Sequence, residues 1–136
     1  MTNRELEPRI RTSAFMKGFL ASLAVRGEAC VITQANRHQT RFGAVVEALD
    51  DSAITNSALR ERLPILTPSP VTGEYAEFDE ALISFQALGL TRCVGPYFNM
   101  VELDIAPSRA EHILTRFSVP EQEALGRLAD VYRKAA

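Results

Sequence analysis

Phe15, Phe19, Leu20 and Leu23 fall on one face of a helix. Their spacing predicts a helix over 12–26, and Gly27 is a usual stop. The next apolar run, "EACVIT", is short and β-branched, and reads as a strand or a buried connector. The polar stretch "QANRHQ" reads as a turn. Phe42, Val45, Val46 and Leu49 then recur at i, i+3, i+4 and i+7, which predicts a second helix over about 39–50.

"AIT" at 53–55 is short enough for one very brief strand, and Thr55 can cap a helix over "NSALRERL". Pro64 stops that helix, because the residue before a proline avoids the helical region. A Pro-, Gly- and Ser-containing loop follows, "PILTPSPVTGEY". Phe78, Ala81, Leu82, Phe85 and Leu88 then mark the clearest helix, about 74–88, closed by Gly89. "LTRCV" and "NMVELDI" read as the two strands of a hairpin, since Val101, Leu103 and Ile105 alternate with polar or flexible neighbours. Two helices close the chain. Ser108 with Glu111, and Ser118 with Glu121, match the capping-box spacing.

The stretches "AITNSALRERL", "FDEALISFQALGLTRC" and "NMVELDI" together resemble the winged-helix family of helix-turn-helix domains. In "FQALGLTR", Leu88 closes the core face, Gly89 makes the left-handed turn and Leu90 returns the chain to the core. The resemblance covers residues 39–105, about half of the chain. It implies an α+β, mostly helical fold: a winged-helix-like three-helix core with a β-hairpin, flanked by extra N- and C-terminal helices. The whole reads as one domain, with residues 1–38 as helix and connector and 106–136 as closing helices. The resemblance also implies that the helix at 74–88 faces double-stranded DNA while the hairpin loop touches its backbone.

Charge changes that picture. Residues 1–41 carry a net +4, residues 42–90 a net −6, and residues 91–136 balance. The helix that would read DNA offers Glu74, Glu77, Asp79 and Glu80 on its non-core side, a departure from a helix that faces phosphates. A DNA contact must therefore come from elsewhere. The candidates are Arg37, His38 and Arg41 at one helix start, Arg60 and Arg62 on the following helix, and Arg92 beside the hairpin. The aromatics Tyr75, Tyr97 and Phe98 stand at a helix start and a hairpin tip, where they serve either a partner or the core.

Candidate chemistry is sparse. Cys30 and Cys93 lie far apart within apolar runs, which suggests buried thiols and a reducing cytoplasm. The two histidines, His38 and His112, have no third partner at a metal-ligand or catalytic spacing. No nucleotide-binding loop, nucleophile elbow or zinc-binding motif occurs. The expectation is no enzyme, no cofactor and no metal. "RIRTSAFMKGFLASLAV" places basic residues before an apolar run as a signal peptide does, but Lys17 interrupts it and a structural helix is the expectation. No stretch approaches the ~18 apolar residues of a membrane span.

Two functions stay open. One is a small DNA-binding protein, a transcriptional regulator or accessory factor. The stripes Phe15–Phe19–Leu23 and Leu125–Leu128–Tyr132 would then hold a homodimer. The other is a protein–protein interaction module whose acidic third helix meets a basic partner and which binds no DNA.

Overall fold

Five aromatic rings organise the molecule. Phe19 lies 6.4 Å from Phe15, 5.8 Å from Phe42, 6.4 Å from Phe78 and 5.6 Å from Tyr132, centroid to centroid. Phe42 and Phe78 stack at 4.6 Å. All five are fully buried. Such pairs contribute about 0.5–1.5 kcal/mol each beyond the burial of their area.

The rings come from four helices. A computed structural model describes residues 9–27, 30–32, 37–51, 54–94 and 100–135. Within these, α1 spans Thr12–Val25, α2 Arg37–Ala48, α3 Ser57–Arg62, α4 Ala76–Ser84, α5 Pro107–Leu114 and α6 Val119–Lys134. A single 3-10 turn, Phe85–Leu88, extends α4. Three strands, β1 (Cys30–Ile32), β2 (Thr91–Val94) and β3 (Met100–Leu103), form one antiparallel sheet in the order β1-β3-β2. The fold is α+β and mostly helical, as expected. One apolar core draws on all three expected segments, from Phe15 through Phe85 to Tyr132.

Local chemistry explains most boundaries. Gly27 and Gly89 adopt φ of +86° and +72°, the left-handed region that ends α1 and turns the 3-10 segment into β2. Leu90 N then donates to Phe85 O, and fully buried Leu90 returns the chain to the core. Ser118 and Glu121 form the expected capping box of α6. Gly18 allows α1 to approach the turn after α5, since a Cβ there would meet the Phe117 ring at 2.7 Å.

Four expectations need correction. The very short strand expected at 53–55 is not formed by its described residues: Ile54 sits in a turn closed by its N–H to Asp51 O. The stretch "EACVIT", read as a strand or a buried connector, supplies the strand Cys30–Ile32, paired with Met100–Glu102. Thr55 does not cap α3. Its buried hydroxyl donates to Leu49 O at 2.7 Å, and Asn56 Oδ1 accepts the Leu59 N–H instead. Ser108 does not cap α5, because Pro107 fixes the first helical position and moves the N-cap to Ala106. The terminal stripes do not form a dimer surface. Phe15, Phe19, Leu23, Leu125, Leu128 and Tyr132 are fully buried against one another and the middle of the same chain. The hairpin tip with Tyr97 and Phe98 lies outside the described residues, as do the side chains of Cys30 and Cys93.

Replacing Leu82, buried at 1% exposure, by Ala should cost about 2–5 kcal/mol, and Phe19→Ala about 3–5 kcal/mol. Urea unfolding at low and high protein concentration checks both. Because Phe19 packs within one chain, its loss should be the same at every concentration. A loss that grows on dilution contradicts this packing.

Candidate functional site

Of the six basic residues nominated by the sequence, the four with described side chains do not converge. Arg37 and His38 occupy the first turn of α2, with side chains outside the described residues. Arg41 reaches α6: its Nε donates to Tyr132 O at 2.8 Å, and its guanidinium lies 4.0 Å from the Tyr132 ring centroid. Arg60 donates to Asp50 Oδ1 at 2.8 Å and to Pro64 O at 3.3 Å. Arg62 Nε stands 3.4 Å from Glu121 Oε2. Tyr132 and Glu121 lie at opposite ends of α6, about 16 Å apart by helical rise.

Arg92 stands directly across the sheet from Glu102, and its Nε donates to Glu102 Oε1 at 2.9 Å. That hydrogen bond and the carboxylate's charge hold the guanidinium above its ordinary range, so it stays protonated. Arg92 is exposed, so solvent and salt screen the pair and it adds little to stability. Four of the six candidates thus have partners inside the molecule and help to hold elements together.

The helix expected to face DNA presents no cation. Its core side buries Phe78, Ala81, Leu82 and Phe85. Its outer side exposes Glu80, Ser84 and Ala87, with Glu77 half-buried. The acids Glu77 and Asp79 occupy the first turn, where the helix dipole favours negative charge, so their presence has a local structural reason. On the same outer side Ile83 is 68% exposed. Leu88, expected to close the core face, is instead 49% exposed at the edge of a cleft, because the chain tightens into the 3-10 turn there and Leu90 returns to the core in its place.

Cations gather elsewhere. A cleft of about 620 Å³ lies between the first turn of α1, the outer face of α5, the end of α3 and the 3-10 turn. Lys17, Arg62, Arg109, His112 and Arg116 line it, with Glu121 as its one carboxylate. Four permanent cations against one carboxylate leave a local net charge of +3 on a chain whose net charge is −2. Ile10, Phe85, Ile113 and Phe117 supply apolar wall. Arg109 is held in place by a 3.1 Å hydrogen bond to Leu88 O. Of the four nominated residues with described side chains, only Arg62 lines this cleft. The signal was in the sequence: Arg109, His112 and Arg116 lie at i, i+3 and i+7, one face of a helix. Lys17 joins them because α1 packs on α5, a pairing that no local pattern encodes.

Among the described residues no helix is long and apolar enough to cross a membrane. Comparison with protein-family models, with curated proteins and with solved structures finds no match.

Glu121 is the one side chain that both caps a helix and anchors a cleft cation. Its Oε1 accepts the Ser118 N–H at 2.9 Å while Oε2 faces Arg62. Glu121→Ala should therefore cost about 1–3 kcal/mol, and Glu121→Gln, which keeps the capping acceptor, clearly less. Thermal unfolding of the two variants separates capping from charge. Equal losses would assign the whole effect to Arg62.

Proposed function

We propose that the chain is a winged-helix-like interaction module that meets a basic protein partner through the outer face of α4 and the 3-10 turn. The observation that carries this reading is the composition of that helix: Glu77 and Glu80 with exposed Ile83, and no Lys or Arg among residues 76–88. An apolar anchor surrounded by one sign of charge suits a partner of opposite sign, since apolar groups supply affinity while charges steer and select. The same face repels a phosphate backbone. The winged-helix likeness rests on a short strand before the helices, a helix ending at Gly89, and a hairpin after it, all joined in one sheet. On this reading the chain is a binding protein and not an enzyme.

DNA binding is the second reading, and one observation favours it. The first turn of α2 carries Arg37 and His38 with no acid, a setting in which backbone N–H groups also attract anions. A homodimer on DNA would need a surface other than the two terminal stripes, which are inside the fold.

Random duplex DNA titrated from 50 to 200 mM salt separates the two. A DNA contact through several phosphates loses about 10³-fold or more in affinity over that range. The interaction reading expects weak binding at 50 mM with a shallow salt slope. It also expects Ile83→Asp with Glu80→Lys to weaken the protein partner's binding at least tenfold, about 1.4 kcal/mol, without changing thermal stability. Steep, tight DNA binding that Arg37→Ala abolishes would replace it with the second reading.

A further inference from the structure

The cationic cleft meets the α4 face at Leu88 of the 3-10 turn and has chemistry of its own. Among the described residues, the side chains of Lys17 and Arg116 have no hydrogen-bond or ion-pair partner. Arg109 spends one of its five donors on Leu88 O, which leaves the others free to bind. The first turn of α1 forms another wall and carries neither an acidic residue nor a capping side chain. Positive charge thus converges on a concave space, while Ile10, Phe85, Ile113 and Phe117 keep part of that space apolar.

We propose that this cleft binds a small amphipathic carboxylate, one anionic head on an apolar body. The head would sit among Lys17, Arg109 and Arg116, and the body against Phe85, Ile113 and Phe117. Three features select this ligand class. The volume lies in the range of small-molecule sites, about 300–1,000 Å³, and is concave, unlike the open basic stripe that a long polyanion needs. The apolar wall would gain nothing from a phosphate backbone or a free inorganic anion. The guanidinium groups suit a carboxylate, which accepts two parallel N–H bonds from one arginine.

Calorimetric titration of the whole chain tests this, with decanoate as the probe, below its micelle concentration. Decanol supplies the body without the charge, acetate the head without the body, and a single-stranded oligonucleotide a polyanion. Decanoate should bind at least tenfold more tightly than either decanol or acetate. Lys17→Ala with Arg116→Ala should weaken decanoate about 10–100-fold, the effect of lost charge-assisted hydrogen bonds, with the unfolding temperature unchanged. Both residues are at the surface or half-buried, so the variant keeps its fold. Equal binding of decanol and decanoate, no decanoate binding, or indifference to the double substitution overturns the proposal. So does oligonucleotide binding that depends on Lys17 and Arg116 while decanoate fails, which would make the cleft a polyanion contact.

Discussion

Phe19 holds the termini of this chain to its middle. One ring, on the second turn of α1, meets rings from α2, α4 and α6. Its burial fixes where α1 lies, and α1 then fixes α5 and α6, which pack along it. The same constraint decides which surfaces exist. Apolar stripes that look unpartnered along the sequence are consumed inside one core. The opposite side of α1 is turned toward α5, and Lys17 comes to stand beside Arg109 and Arg116. Gly18 makes that approach possible, since any larger residue would displace Phe117.

Charge is then sorted by the fold rather than by the sequence. The N-terminal third is the basic part of the chain, yet several of its neighbours' arginines are spent on structure. Arg41 clamps the end of α6, Arg60 ties α3 to Asp50, and Arg92 crosses the sheet to Glu102. A guanidinium has five donors and a rigid plane, so it satisfies carbonyls and carboxylates at element ends better than most side chains can. The result is a molecule with an acidic, partly apolar helix face and an adjoining cationic cleft.

Much of the fold was legible because its signals are local. The periodicity of Phe78, Leu82 and Phe85, the left-handed Gly89, and the Ser118–Glu121 box each act within a few residues. What failed needed a distant partner or turned on two local options. Local pattern leaves "EACVIT" open between strand and connector because its partner β3 lies about seventy residues later, and Ile54 and Thr55 pair with no strand. Thr55 and Asn56 were both competent caps, and the buried Leu49 carbonyl claimed Thr55. The candidate cations were chosen by proximity along the chain, and proximity says nothing about carboxylates such as Glu121 and Glu102 that arrive from other elements. The cleft was half legible, as a basic face on α5, but its second wall depended on helix packing.

The central claim is that the helix after the loop at 63–75 faces a protein and not a nucleic acid. A map of backbone amide shifts during titration of the whole chain with a short duplex at low salt tests it most directly. The account predicts that amides along the exposed side of α4 and the 3-10 turn, those of Glu80, Ile83, Ser84 and Ala87, stay unchanged at saturating duplex. Shifts concentrated on those four residues that vanish as salt is raised would contradict it.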